Sequence, residues 1–400
     1  MKITLITQYY KPEMGAPQNR LYEMCTGLKK LGADISVITG MPNYPTGKIF
    51  DEYKNKCSMT EVVDDIQVKR YWLYASNVKK ALPRIWNMVS FSMMVMFALP
   101  YLIRRRNDFI IVESPPLLLG ISGWILSKLS GAKLIMNISD LWPLSARELG
   151  AISGDGMAYK VLELIEGFLY RKSTFCLGQS QEIVDYIVSH GAKDVYLFRN
   201  GVDPTRFAKS ERVFEKKNEP FVLTYAGLLG FAQGIAGICK NINFREINAE
   251  FHIYGAGGEQ QEIENFLKEN PNYGIFYHGK VTREEIPAVL AKSDSTLIPL
   301  VKNIFGAVPS KIYESMASGL PIIFSGEGEG KKIVEENDLG WVSEALDYEA
   351  LKENIANAAK YPELLKQKSA NCIKCAEEKY NRPKQIESLY NFLCSKLQMS

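Results

Sequence analysis

The sequence lacks most of the short signatures that would place it at once. No GxxxxGK[ST] run and no H-E-x-x-H occur, which excludes the common phosphate-binding loop and the helical zinc site. No Asp-x-Asp occurs either, so the acidic pair that often holds a divalent metal against a nucleoside diphosphate is missing. Histidine is scarce: His190, His252 and His278 share no ligand spacing, which leaves them structural or surface roles. The seven cysteines (25, 57, 176, 239, 372, 375 and 394) are odd in number and scattered, without the density of a disulfide-stapled secreted domain, so reduced thiols are expected. The one CxxC, Cys372 to Cys375, has no second pair to complete a zinc site. Net charge is only +3, from Lys+Arg 48 against Asp+Glu 45, which removes any bulk-charge argument for nucleic-acid binding.

What is present is an ordinary globular composition, 46% hydrophobic and 23% charged over 400 residues, enough for two domains with sizeable cores. The opening MKITLITQYY reads as a strand rather than a signal peptide, because its apolar run is short and has no small-residue cleavage site. The expected site of action is therefore cytoplasmic. Short apolar β-rich runs recur between helical stretches: 3–7, 35–39, 66–71, 109–113, 134–139, 175–177 and 195–198. The pattern restarts after Asn200-Gly201 with 221–225, 251–254, 275–277, 296–300 and 321–324, so two doubly wound α/β domains with parallel sheets are expected. The charged stretch from Lys209 to Pro220 reads as a connector. In such a pair the ligand crevice is expected at the carboxyl ends of the strands, between the domains.

One segment departs from the soluble pattern. From Ile66 to Asn107 there are eight basic residues (Lys69, Arg70, Lys79, Lys80, Arg84, Arg104, Arg105 and Arg106) and no acidic one, and between Arg84 and Arg104 runs IWNMVSFSMMVMFALPYLI. At about 1.5 Å per residue this run barely reaches across a hydrocarbon core of about 30 Å. Three readings follow: a span, a buried helix of the first domain, or a helix partly in the core and partly dipping into an anionic membrane surface. The third is the expectation carried forward.

Chemistry is best sought in VPSKIYESMASGLP, residues 308 to 321. Pro309 and Ser310 read as a helix start with Ser310 as N-cap, and Lys311 sets an ammonium beside the open amides of the first turn. Ser310 and Glu314 are four apart and share a face, which pairs a phosphate-side group with a carboxylate able to accept two ribose hydroxyls. The alternative is a Glu314 that only complements the helix dipole and a solvated Lys311. Tyr254-Gly255-Ala256-Gly257-Gly258 follows a strand but has Gln260 where a dinucleotide turn has its third glycine, and Gly15 closes the turn after the first strand.

Seven segments together resemble the retaining GT-B glycosyltransferases of family 4, and within them bacterial polysaccharide enzymes similar to N-acetylfucosamine transferases of O-antigen and capsule assembly. They are YYKPEMGAP with Arg20, TGMPNYPTGKIF (39 to 50), ISDLWPLSARELG (138 to 150), RNGVDPTRF (199 to 207), YAGLLGFAQG (225 to 234), HGKVTREEIPAVL (278 to 290) and VPSKIYESMASGLP (308 to 321). The resemblance implies an acceptor-side domain over 1–205, a nucleotide-sugar domain over 206–378 and a terminal helix over 379–400 packing back on the first. It implies transfer of a sugar, of N-acetyl-L-fucosamine or related amino-sugar type, from a UDP-linked donor to a lipid-linked saccharide. Configuration would be retained, without metal or other cofactor; the acid-free basic segment, in turn, motivates a lipid-linked acceptor at the inner face of the plasma membrane.

The donor set implied by the resemblance is Gly15, Gly227, Gln233, Tyr254, Gly255, Val281, Ser310, Lys311 and Glu314, with Lys311 and Asp140 as the catalytic pair. Arg20, Lys79, Lys80, Arg84, Arg104, Arg105 and Arg106 would serve the acceptor or the membrane. Four positions depart from the family pattern: Gly306 where the first glutamate of E-x7-E is expected, Leu228 and Gln233 in place of two phosphate cations, and Ser139 in place of a histidine before Asp140. Lys311 is then the main positive charge on the leaving group, with Arg199 or Arg206 as helpers. Two rival readings, a sugar-nucleotide epimerase on the same scaffold and a membrane scaffold protein, stand beside the transferase.

Overall fold

The computed structural model describes every residue except 79–80, 149–153, 155, 208–213, 215–218 and 399–400. The expected connector falls largely on residues outside that set, and so do Lys79 and Lys80. The chain divides into two compact units, one of residues 1–200 with 383–400, the other of residues 201–382, rather than at 205/206 and 378/379.

The first unit is built on β1 (Lys2–Ile6), β2 (Asp34–Gly40), β3 (Ser58–Val63), β4 (Ile66–Tyr71), β5 (Phe109–Ser114), β6 (Lys133–Ile138), β7 (Phe175–Gly178) and β8 (Val195–Leu197). They form one sheet in the order β3-β4-β2-β1-β5-β6-β7-β8. All pairings are parallel except β3 against β4. That hairpin turns on Asp64 and Asp65, both left-handed at φ 47 and 61, the backbone a two-residue loop between twisted strands requires. Strand β5 is buried at every position, as a central parallel strand between two helix layers must be.

The Ala16–Lys30 helix sends Leu21, Met24, Cys25 and Leu28, spaced three and four apart, into the core beside Ile3, Phe109 and Phe175. The Arg382–Gln398 helix adds Ile386, Leu389 and Leu393 to the same cluster. Its Phe392 stacks on Tyr196 with ring centroids 4.4 Å apart and meets Phe175 edge-on at 5.1 Å. A methyl group on Gly27 would collide with Ile386, so the two helices approach as closely as they do only because Gly27 has no side chain.

The apolar run is a helix (Ala81–Met94), a short 3-10 turn (Val95–Ala98) and a second helix (Leu99–Arg105). Phe91, Val95, Ala98 and Leu102 are fully buried, and the Ser122 hydroxyl of the Leu117–Ser130 helix donates to the Ser92 carbonyl at 2.6 Å. Residues 82–105 are long and apolar enough by composition to cross a membrane. A spanning helix meets lipid all round, whereas this one commits a side to protein core. Moreover, β4 before it and β5 after it belong to one sheet, so the spanning reading is set aside.

The second unit holds β9 (Phe221–Ala226), β10 (Ala249–Tyr254), β11 (Ile275–Tyr277), β12 (Ser295–Pro299), β13 (Ile322–Ser325) and β14 (Gly340–Ser343). Its sheet runs β11-β10-β9-β12-β13-β14, parallel throughout. Strand order reverses between β9 and β12, and in an open α/β sheet a ligand crevice forms outside the carboxyl ends of the strands at that reversal.

Candidate active site

At the carboxyl end of β9 the chain turns at Gly227, and a methyl group there would overlap the end of the Lys311 side chain. Gly255, at the end of β10, lies against the Gly227 carbonyl so closely that a side chain has no room. Backbone bonds hold these turns together: Gly227 N–H donates to Tyr254 O at 2.8 Å, Leu229 N–H to Ala256 O at 3.0 Å and Gly255 N–H to Gly279 O at 2.7 Å. The loop after β12 joins them through Val301 N–H to Ala232 O at 2.9 Å. The switch point of the sheet is thus lined by main chain, with Lys311 placed over it by the helix that follows β12.

The Lys311–Ala317 helix starts without a side-chain cap. Ser310 has helical dihedrals, φ −60 and ψ −22, and its carbonyl already accepts from Tyr313 and Glu314, so its exposed hydroxyl does not serve as the expected N-cap. Lys311 and Glu314 line a narrow cavity of about 260 Å³, its open mouth included, with Thr224, Ala226, Thr296 and Ser315. The Lys311 ammonium sits 5.1 Å from the centre of the Tyr225 ring. Burial holds its pKa below the usual lysine value, and the Glu314 carboxylate pulls the other way. Among the described residues no hydrogen bond or ion pair engages that ammonium, so its charge is open to an anion.

The neighbouring helix start is closed to one. Ile235 N–H, at the head of the Ile235–Asn241 helix, donates to Glu259 Oε2 at 2.9 Å, so an internal carboxylate fills the place a phosphate would take. The two positions where the resemblance calls for cations carry none: Leu228 is 65% exposed, and Gln233 Oε1 is buried without a partner among the described residues. Lys311 is a cation that lines the cavity at the switch point of this unit. Of the remaining donor residues, Tyr254 stacks on His278 at 4.4 Å outside the cavity lining, and Val281 and Ser310 also lie outside it.

Gly15 and Asp140 belong to the first unit. Gly15 precedes the Ala16–Lys30 helix with φ 176, extended backbone open to any residue, and Gln18 folds over it. Asp140 follows β6; its carboxylate accepts from Ser145 Oγ at 3.1 Å, and burial raises its pKa. Ser139 beside it joins a buried network sequence reasoning missed. Arg20 donates to Glu113 at 2.7 Å, to Gln179 at 2.9 Å and to Ser139 Oγ at 2.6 Å, tying the carboxyl ends of β5, β6 and β7 together. Ser139 Oγ and Asn137 Nδ2 donate to the same Glu113 carboxylate.

That geometry speaks against the membrane half of the role given to Arg20, which is 7% exposed with a carboxylate partner. Arg105 is corrected likewise, since it pairs with Asp34 at 2.6 Å and donates to Asn107. Arg84, Arg104 and Arg106 are exposed. Glu13, inside the first quoted motif but given no role there, accepts from the N–H groups of Tyr10, Asn43 and Tyr44 at 3.2, 2.8 and 2.8 Å. Burial nonetheless pushes its pKa up to about 7. His252 and His278, unrelated by sequence spacing, are 2.9 Å apart because β10 pairs with β11. Among the described residues no group of three or more His, Cys, Asp or Glu side chains is arranged to hold a metal.

Comparison with known proteins covers nearly the whole chain. Residues 15–201 match the family described as glycosyl transferase 4-like domain, and residues 207–379 that described as glycosyl transferases group 1. The chain is 26% identical over 255 residues to the Pseudomonas aeruginosa protein WbjE, named as a glycosyltransferase, an alignment covering 59% of this chain and 62% of that protein. It is 25% identical to Escherichia coli WcaI, whose name places it as a glycosyl transferase of colanic acid biosynthesis, over 82% of this chain and 84% of that one. Among solved structures, sucrose-phosphate synthase from Thermosynechococcus elongatus superposes over 100% of both chains at TM-score 0.75 and 16% identity. Anabaena Alr3699/HepE in complex with UDP does so over 99% and 100% at 0.71 and 14%. These likenesses carry the GT-B fold.

Proposed function

Since the chain is a glycosyltransferase, with a 4-like domain followed by a group 1 domain, we propose that it transfers a sugar from a UDP-linked donor to a lipid-linked saccharide during surface-polysaccharide assembly. The reading rests on one observation above all: the Lys311 ammonium, without a hydrogen bond or ion pair among the described residues, beside the Gly227 and Gly255 turns at the switch point of the second unit. UDP in the HepE structure and the biosynthetic name of WcaI support it. With both halves of the chain matched to glycosyltransferase families, the epimerase and scaffold readings fall away.

In this proposal Lys311 and nearby main-chain amides neutralise the charge that builds on the β-phosphate as the bond to the anomeric carbon breaks, the electrostatic contribution that is usually largest. No divalent ion takes part. The acceptor hydroxyl attacks from the leaving group's own side, its proton passes to a donor phosphate oxygen, and configuration is retained. Glu314 accepts the ribose hydroxyls, and Asp140 positions the acceptor. The transferred sugar is an N-acetylated amino sugar of fucosamine type, and the protein works from the inner face of the membrane, with Arg84, Arg104 and Arg106 facing lipid headgroups.

Thermal unfolding of the full chain with a panel of nucleotides and nucleotide sugars tests the donor class. A ligand that binds only the folded state raises the midpoint by mass action, by about 2.7 kcal/mol of stability at a hundredfold excess over Kd. Uridine diphosphates are expected to shift it; stabilisation by guanosine or thymidine diphosphates alone would overturn the UDP assignment.

A further inference from the structure

The apolar surface of the first unit extends beyond the run that first drew notice. The Leu117–Ser130 helix packs on β5 and β6 and lies between the 82–105 segment on one side and the Met157–Lys172 helix on the other. Trp124 and Phe168 meet edge-on at 4.9 Å across the second contact. Helices side by side on one sheet face turn their exposed sides away from that sheet. On the outer pair those sides are apolar: Leu82, Trp86, Met93 and Phe97 on the first, and Met157, Val161 and Leu164 on the last, with Leu129 on the helix between. The spacings of three, four and seven make each set a stripe along its helix. Phe97 is 71%, Met157 83% and Leu164 69% exposed, more than a water-facing surface of a soluble unit normally leaves in one layer.

We propose that this three-helix layer as a whole, and not the 82–105 segment alone, is a membrane-docking face, with the Met157–Lys172 helix as its second arm and an anionic lipid bilayer as its occupant. The proposal rests on the peripheral attachment put forward above and extends it to a helix that no charge run or long apolar stretch marks.

Charge selects the occupant. On these helical segments or at their ends stand the exposed cations Arg84, Arg104, Arg106, Lys128 and Lys160. The sequence of the three helical segments contains only two acidic residues, Glu163 and Glu166. Glu166 is turned inward, where it accepts from the Tyr170 and Tyr186 hydroxyls at 2.7 and 3.0 Å. Apolar side chains that enter the acyl boundary, accompanied by cations at headgroup level, match an anionic interface. Both arms pack on the Leu117–Ser130 helix between them, so they reach the bilayer as a fixed pair.

Vesicle flotation of the full chain tests this, with vesicles of phosphatidylglycerol and phosphatidylethanolamine and, as a control, vesicles of phosphatidylcholine. Three proteins are compared: the parent, a Met157→Gln/Val161→Gln/Leu164→Gln variant and an Arg84→Ser/Arg104→Ser/Arg106→Ser variant. Both variants are expected to bind anionic vesicles at least about tenfold more weakly than the parent, with unchanged melting temperatures because every altered side chain is exposed. If only the arginine variant weakens, the second arm is wrong while peripheral attachment stands. If neither weakens, both readings fall. Leu164→Gln alone, expected to weaken binding about threefold, decides the matter should the triple variant melt early. A dimer that the glutamine variant dissociates, with vesicle binding unchanged, would assign the face to a second copy of the chain instead.

Discussion

Arg20 and Glu113 offer a test in which structure sets both the size and the sign of the effect. Their side chains are 8% and 5% exposed and 2.7 Å apart. Burial raises the Glu113 pKa against the opposing pull of Arg20 and of hydrogen bonds from Ser139 and Asn137. Arg20→Met removes the cation and leaves the carboxylate in a dry site, which costs about 3–5 kcal/mol. Glu113→Gln keeps the shape but strands the guanidinium, at comparable cost. In the double variant neither charge remains to be stranded, and the amide introduced at position 113 can still accept from Ser139 or Asn137. The pair should therefore show a coupling energy of at least about 2 kcal/mol, the double variant being far more stable than the sum of the two losses implies. Urea denaturation followed by tryptophan fluorescence gives the three stability changes. Additive losses, within about 0.5 kcal/mol, would refute the claim that this ion pair fastens β5, β6 and β7 to the first helix.

Two further outcomes follow. Gly255→Ala drives a methyl group into the Gly227 carbonyl, a backbone atom that cannot swing aside, so the second unit should lose about 2–4 kcal/mol and UDP binding should fall with it; calorimetry that finds wild-type melting refutes the close approach. Glu13 and Glu166, both raised to about 7, retain protons in the folded state that the unfolded chain has released, so stability declines as pH climbs from about 4.5 through 7. A shift of that size corresponds to at most about 3 kcal/mol per group, and Glu13→Gln should make the slope of urea midpoint against pH shallower; an unchanged slope contradicts a proton on Glu13.

Much of this fold could be read from the residues, because alternation of apolar β-rich runs with amphipathic helices is a strong and local signal. Strand β3 escaped it: SMTEVV lies at an antiparallel edge with alternate residues exposed, and its turn is made by Asp64-Asp65 rather than by a glycine pair. Strand β14, GWVS, escaped as well, because it opens on a glycine and carries only two apolar residues. In the second unit the place of Lys311 at a helix start was legible, because a helix start after a strand is marked by sequence alone. The Arg20 network was not, since its members at 20, 113, 137, 139 and 179 come together only when four elements pack. Arg105 misled for a related reason: three consecutive arginines read as one charged patch, but the last turn of the helix points Arg105 at Asp34 and leaves Arg104 and Arg106 outside. Ser310 failed as a cap because the residue type fits while its backbone is already helical.

The central claim is that a single ammonium, set over turns of glycine, holds a nucleoside diphosphate without a metal. Isothermal titration of the full chain with UDP, in EDTA and in magnesium chloride, for the parent and for Lys311→Met, tests it most directly. Equal affinity in both buffers, and at least about a tenfold loss in the variant from removal of a charge-assisted contact worth about 1.5–3 kcal/mol, is the predicted result. Binding that disappears in EDTA, or a variant that binds UDP as tightly as the parent, would contradict it.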